Sequence, residues 1–170
     1  MSAHAARAAE AGGNVYDKYG TSNPVARRLM AGFMAQLDQL VDRTGAREAH
    51  EVGCGEGELA IRLAGRGIAM RGTDAFPQVL AEARRRAEAA GAEIDFEAVP
   101  VERLDPDHHA AELVLCCEVL EHLADPEGAL DVLAGLARPW LLASVPREPL
   151  WRGLNLARFS YVGDLGNTPG

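Results

Sequence analysis

The segment Glu51-Val52-Gly53-Cys54-Gly55-Glu56-Gly57 sets three glycines at alternate positions, at the end of the short strand-like stretch Ala49–Val52 and before a helix-like stretch, Glu58–Leu63. A strand running through such a loop into a helix is the entry of a nucleotide-type βα unit. Glycine there lets the chain turn tightly and lets a ligand lie against bare backbone. Such a strand needs parallel partners, and the rest of the chain supplies them. Ile68–Thr73, Ile94–Val99, Leu113–Cys117 and Trp140–Val145 read as further strands. Val25–Val41 reads as a helix, with Leu29, Phe33, Leu37 and Leu40 at helical spacing. Pro77–Ala90, stopped by Gly91, and the stretch from Asp125-Pro126 to about Ala137 read as two more. Leu113–Cys117 is apolar throughout, as expected for a strand covered on both faces. Strands alternating with helices imply right-handed crossovers. The expected class is α/β: a doubly wound, mostly parallel sheet with helices on both faces.

Asp74 closes the second strand, 21 positions after Gly53. Carboxylates that accept ribose hydroxyls from an adenosine cofactor stand about 20 residues beyond the loop. Two cofactor classes share this layout. The dinucleotide fingerprint GxGxxG places pyrophosphate on the helix N-terminus, its third glycine allowing close helix packing. Here the third glycine comes one position early and Glu58 stands in its place. Glu51, Glu56 and Glu58 also put negative charge around the loop. That charge repels a pyrophosphate and suits the ammonium and sulfonium groups of S-adenosyl-L-methionine, so the methyl donor is favoured over a dinucleotide.

The 170 residues have room for one domain with a proper core. A net charge of −8 argues against a nucleic-acid partner, whose phosphates are bound by clustered Lys and Arg. The basic run Arg84–Arg86 reads as a solvated helix face beside Glu82 and Glu88. The apolar runs are too short to span a membrane, and Met1–Gly13 lacks the apolar core of a signal peptide, so a cytoplasmic location is expected. Lys18 is the sole lysine, an arginine bias that fits a GC-rich bacterial gene. Cys54, Cys116 and Cys117 form neither a disulfide framework nor a CxxC metal pattern. His108-His109, beside Asp105 and Asp107, reads as a solvated turn.

These motifs together resemble class I S-adenosylmethionine-dependent methyltransferases. Glu51–Gly57 matches their E/D-x-G-x-G-x-G first motif, and Gly72-Thr73-Asp74-Ala75-Phe76 resembles their second. Glu112–Glu118 resembles their fourth. Glu118-Val119-Leu120-Glu121-His122-Leu123 is similar to the E-x-x-E-H of the ubiquinone-biosynthesis O-methyltransferase or type 11 branch. The likeness runs from Tyr16 to about Val145 and is specific for the class, not for a substrate. It implies that Gly53, Cys54, Gly55 and Gly57 line the methionine portion of the donor and that Glu51 orients its amine. It also implies that Asp74, with Ala75, binds the ribose and that Phe76 packs near the adenine. Pro100-Val101-Glu102 stands where many relatives place an adenine-binding Asp. Pro100 has no N–H, so the backbone of Val101 is the expected substitute. Cys117 and Glu118 are implied to touch the donor's amine through backbone.

Methyl transfer from a sulfonium is an in-line displacement that depends on alignment and desolvation. An oxygen acceptor must also lose its proton, to a base or through a metal. His122, beside Glu118, is the candidate base. Alternatively Glu118, Glu121 and His122 offer hard O/N ligands to a divalent ion, although no histidine follows His122 to complete the set of the metal-dependent small-RNA 2′-O-methyltransferases. In the plainest alternative, His122 bonds a backbone carbonyl and Glu121 faces solvent. Tyr16 and Tyr19 are expected in a lid, and Arg147 and Trp151 on the substrate side.

The domain reading is a leader over 1–13 and one domain over 14–170, with a lid and helix in 14–45, a cofactor-binding core in 46–147 and a substrate-side region from 148. Relatives add a sixth strand and an antiparallel seventh, and five are legible here, so strands 6 and 7 are expected to be missing. The open sheet edge would then offer a place for a homodimer or a partner. The expected activity is methylation of a small-molecule oxygen, of quinone or secondary-metabolite type, leaving S-adenosyl-L-homocysteine. The alternatives are a metal-assisted RNA 2′-O-methyltransferase, an inactive donor-binding domain serving as an interaction module, and a dinucleotide oxidoreductase.

Overall fold

The computed structural model describes residues 24–146. Helix α1 (Pro24–Thr44) leads into β1 (Glu48–Val52), α2 (Glu58–Ala64), β2 (Ala69–Asp74), α3 (Pro77–Ala90) and β3 (Ile94–Ala98). A 3-10 turn (Val101–Arg103) and the one-turn helix α4 (Pro106–His109) precede β4 (Ala111–Cys117). A second 3-10 turn (Leu120–His122), α5 (Pro126–Leu136) and β5 (Ala137–Ser144) follow.

The strands form one parallel sheet in the order β3-β2-β1-β4-β5. From β1 the chain winds outward to β3, then crosses back to β4 and winds the other way. Strand order therefore reverses between β1 and β4. Open α/β sheets bind ligands at such a switch point, beyond the carboxyl ends of the strands. The doubly wound class read from the sequence is borne out.

Strand side chains alternate between faces, and two cores result. Ala49, Met70, Phe96, Leu113 and Leu115 face α1, α2 and α3, meeting Leu37, Leu59, Leu63 and Leu80. Val52, Val114 and Cys116 face the other way, onto Leu133 and Leu136 of α5 and Val101 and Leu104. Leu63, Leu80, Leu113, Leu115 and Leu133 are completely buried. Truncating any of them to alanine costs on the order of 2–5 kcal/mol.

Helix α3 has the expected bounds: Pro77 opens it, and the Gly91 amide donates to the carbonyls of Ala87 and Glu88 at its end. Helix α5 is capped by Asp125, whose Oδ1 accepts the Gly128 amide at 2.9 Å. Helix α1 differs in detail. Its buried arc runs through Leu37 and Val41 with Phe33 and Met34 beside them, while Leu29 and Leu40 stay exposed. At 3.6 residues per turn the stripe drifts around the helix, and Leu29 and Leu40 fall on its rim. The arginine run is indeed a surface face: Arg85 and Arg86 bond Glu82, and Arg84 donates to the Phe96 carbonyl on the β3 edge. At the other edge, Trp140 and Val145 are exposed. Among the described residues no helix is long and apolar enough to cross a membrane.

Candidate functional site

Strand β1 ends at Val52, opposite Thr73 of β2, and the glycine loop turns off it at once. The Thr73 carbonyl accepts two amides, from Gly53 at 2.7 Å and Cys54 at 3.0 Å. The next residue, Asp74, ties the loop from the side. Its Oδ2 accepts the Gly55 amide at 2.9 Å, and its Oδ1 accepts the Phe76 amide at 3.0 Å. A carboxylate has about four lone-pair sites, so each oxygen retains capacity for a ligand hydroxyl. Asp74 is half-buried, whereas Ala75 and Phe76 are exposed beside it.

The three loop glycines have separate reasons to be glycine. At Gly53 (φ +74°) an added Cβ would lie 2.4 Å from Val119 Cγ2, so the segment after β4 packs directly on the loop. At Gly57 the added atom would meet Phe96 at 3.1 Å and Ala83 at 3.2 Å, inside the first core. Gly55 (φ +53°) faces open space, with nothing within 4 Å. The cradle that a ligand can fill is therefore at Gly55, between Asp74 and the end of β1.

Glu51, in β1 two residues before Gly53, is only 6% exposed. The Ala60 amide, in the first turn of α2, bonds its carboxyl, yet Oε2 accepts no hydrogen bond among the described residues. Burial, with Asp74 and Glu58 nearby, pushes the carboxyl up to about 8. An orphaned buried carboxyl oxygen needs a donor, and the ammonium of an amino-acid moiety is one. The other two loop glutamates behave differently. Arg86 of α3 lies 2.5 Å from Glu56 and 3.8 Å from Glu58. The expected ring of three negative charges is therefore not formed: Arg86 pairs with two of the glutamates, and burial favours the neutral form of Glu51. Cys54 is buried in the loop and burial raises its thiol far above the usual range; Cys117 is pushed up to about 12 by the same cause. Burial thus favours the neutral thiol at both positions over the more nucleophilic thiolate.

Two further walls meet the cradle. After β3, the 3-10 turn opens at Val101, whose side chain is buried, and Glu102, which is exposed. First-turn amides have no intrahelical acceptor, so those of Val101 and Glu102 suit an adenine edge. After β4, Glu118 sits at φ +60°, a left-handed conformation for a residue with a Cβ, which costs on the order of 1 kcal/mol. Its amide donates to the Ser144 carbonyl at 3.0 Å and its Oε1 accepts from Ser144 Oγ at 3.2 Å. The Glu118 N–H is thus committed to β5, and a ligand ammonium, which only donates, would need a backbone carbonyl at this corner.

His122 ends the following 3-10 turn with its side chain 69% exposed and Nε2 3.9 Å from Glu121 Oε1. Among the described residues no group of three His, Cys, Asp or Glu side chains is placed to hold a metal ion. Glu118, Glu121 and His122 are neighbours in sequence, but the turn does not gather them into a ligand set. Tyr16, Tyr19, Arg147 and Trp151, expected at the lid and the substrate side, lie outside the described residues.

Sequence reasoning missed a polar cluster on the second face of the sheet. His50 is fully buried, its Nδ1 2.8 Å from the His109 carbonyl and its Nε2 2.9 Å from Thr73 Oγ1. The two imidazoles stack at 5.9 Å. His109 is buried too, and its Nε2 lies 3.2 Å from Glu97 Oε2, which corrects the reading of His108-His109 as a solvated pair. The available signal was that His50 alternates with Ala49 and Glu51 in a strand expected to be covered on both faces, so its side chain had to be buried on one of them.

Comparison with known proteins agrees with this fold. A family model described as a methyltransferase domain matches residues 49–139. The ubiquinone biosynthesis O-methyltransferase of Pseudoalteromonas translucida is 32% identical over 108 residues, 61% of this chain and 46% of that protein. That of Burkholderia ambifaria is 31% identical over 120 residues, covering 69% and 50% respectively. The chain spans about half the length of these curated relatives. Magnesium protoporphyrin IX methyltransferase from Synechocystis, solved with bound SAM, superposes with a TM-score of 0.66 at 20% identity over 91% of this chain and 84% of that one.

Proposed function

The chain belongs to the methyltransferase domain family, and on that premise we propose that it binds S-adenosyl-L-methionine over Gly53–Gly57 and directs its methyl group to an oxygen of a small molecule. The observation that carries this reading is the open face of Gly55 beside the Asp74 carboxylate, together with the orphaned Glu51 oxygen at the end of the strand that leads into the loop. Asp74 accepts the ribose hydroxyls with the lone pairs that Gly55 and Phe76 do not use. Glu51 meets the amine. The first-turn amides at Val101 and Glu102 meet the adenine, and Phe76 covers it. Gly53, Cys54 and Gly57 shape the floor, and carbonyls of Cys117 and Glu118 close the amine end.

When bound, the donor supplies an electrophilic methyl on a sulfonium, with a thioether as leaving group. The protein's tasks are then to align the acceptor oxygen, to keep water out and to take the acceptor's proton. His122 stands one turn beyond the β4 corner with an accessible Nε2, and as general base it takes that proton. Glu118 holds the same corner rigid through Ser144. The relatives are named as O-methyltransferases of ubiquinone biosynthesis, which supports oxygen of a phenol or quinol as the target. The net charge of −8 favours such a neutral aromatic over an RNA.

Incubation with S-adenosyl-L-methionine and a catechol tests the proposal, with S-adenosyl-L-homocysteine and methylated catechol followed by mass spectrometry. Both products are expected together. Donor binding without turnover on any phenolic acceptor would contradict the transferase reading and support a binding module.

A further inference from the structure

We infer that His50, through Thr73, is a positioning residue that holds the glycine loop and the ribose-binding acid in register. The inference deepens the donor-site reading proposed above and rests on it, although its first readout needs no donor.

Hydrogen-bond chemistry fixes the tautomer. A carbonyl oxygen only accepts, so the 2.8 Å contact to His109 requires a proton on Nδ1. The neutral ring then presents Nε2 as an acceptor, and the Thr73 hydroxyl donates to it at 2.9 Å. Both side chains are fully buried, so neither has water to fall back on. The neutral form is the stable one there, because burial pulls the imidazole down to about 4.

Thr73 is the residue on which the loop hangs. Its hydroxyl is tied sideways to His50 on β1, while its carbonyl accepts the Gly53 and Cys54 amides. Thr73 is β-branched, so fixing Oγ1 fixes the whole side chain and the backbone beside it. The next residue is Asp74, which grips Gly55 and the start of α3. A single buried ring therefore restrains both ends of the candidate donor site. On its far side, the same ring anchors the one-turn helix at His109. His109 in turn accepts the Asp105 amide on Nδ1 at 2.9 Å, which leaves its Nε2–H for Glu97. An apolar residue at position 50 would fill the space but carry neither bond.

The two arms can be cut separately. His50→Asn places a polar atom near the Nδ1 position and can serve His109 alone, whereas His50→Gln reaches the Nε2 position and can serve Thr73. Amide hydrogen exchange at Gly53 and Cys54 is measured by NMR on the whole chain without donor. His50→Asn is expected to speed exchange of both amides about tenfold, matching the loss of one buried hydrogen bond. His50→Gln is expected to restore protection there. Thr73→Ser is expected to behave as the parent and Thr73→Val as His50→Asn. Calorimetry with S-adenosyl-L-methionine should follow the same order, with affinity falling for His50→Asn and Thr73→Val.

Equal protection of Gly53 and Cys54 in His50→Asn, His50→Gln and the parent would overturn the inference. If His50→Asn fails to fold, the Thr73→Ser and Thr73→Val pair decides by the same readout. If the parent binds no donor, the donor-site reading falls while the exchange data still decide the role of His50.

Discussion

Asp74 Oδ2 accepts the amide hydrogen of Gly55 at 2.9 Å, so the one loop glycine that faces open space is fixed by the same carboxylate expected to bind the ribose. Loop shape and ligand recognition are thereby joined in one side chain. Removing it loses a charge-assisted bond within the protein as well as those to the ligand. Asp74→Ala should weaken S-adenosyl-L-methionine by at least tenfold, on the basis of about 1.5–3 kcal/mol for hydrogen bonds to a charged group. Asp74→Asn should fall between Ala and the parent, since it retains an acceptor for Gly55. Isothermal calorimetry reads both.

Gly55 and Gly53 should respond differently to the same substitution. Gly55→Ala meets nothing within 4 Å and pays only the left-handed backbone, about 1 kcal/mol. Its methyl enters the proposed cradle, so donor affinity should drop with the fold intact. Gly53→Ala drives a methyl to 2.4 Å from Val119 Cγ2, so the melting temperature itself should fall. Thermal melts beside calorimetry separate the two, and equal loss of stability in both variants would count against the cradle.

Glu51 predicts proton release on donor binding. Its carboxyl is pushed up to about 8, chiefly by burial, so near neutral pH the empty site holds it protonated. An ammonium beside Oε2 favours the ionised form and lowers that value, so affinity should rise with pH and level off above about 8. The folded value lies above the 4.5 of a free carboxyl, so the native state binds the extra proton and the free protein loses stability as pH rises from 4.5 to about 8. Glu51→Gln should flatten both profiles. Calorimetry in buffers of different ionisation enthalpy measures the released proton directly.

His50 has the opposite dependence on the acid side. Its folded value is near 4, against 6.5 when free, through burial first and then the nearby Arg71 and His109 charges, with Glu97 and the His109 carbonyl opposing. The unfolded chain therefore takes up the proton first, and stability present above 6.5 is lost as pH falls towards 4. That interval corresponds to about 3 kcal/mol at most. Because Glu51 acts in the opposite sense over the same range, the difference between variants is the readout: in urea melts from pH 7 to 4 the parent should lose stability relative to His50→Gln as the pH falls.

His122→Ala should abolish turnover and leave donor affinity intact, because its side chain is 69% exposed and no atom of it lies within 4 Å of the open face of Gly55. Steady-state rates alongside calorimetry test this, and equal turnover would exclude the base.

What was legible in the sequence was whatever rested on period and on local rules. The strands, the bounds of Pro77–Ala90 and the place of Asp74 at a strand end all follow from apolar alternation, proline and glycine punctuation, and loop spacing. What escaped depends on atoms brought together from afar. Arg86 is adjacent to Arg84 and Arg85 in the chain, yet it alone reaches Glu56 and Glu58. His109 looked solvated because its neighbours Asp105, Asp107 and His108 are polar, yet one helical turn folds it inward against His50. The left-handed Glu118 has no local signature at all, since glycine or asparagine ordinarily marks such a position. Open and filled glycine faces at 55 and 57 are equally invisible until Phe96 and Ala83 arrive beside one of them.

The central claim is that the Gly55 cradle binds a methyl donor and not a dinucleotide. Parallel calorimetric titrations of the whole chain with S-adenosyl-L-methionine and with NAD test it most directly. Saturable binding of the former, weakened at least tenfold in Asp74→Ala, and no measurable binding of NAD are expected. Binding of NAD in preference, or S-adenosyl-L-methionine affinity unchanged by Asp74→Ala, would contradict it.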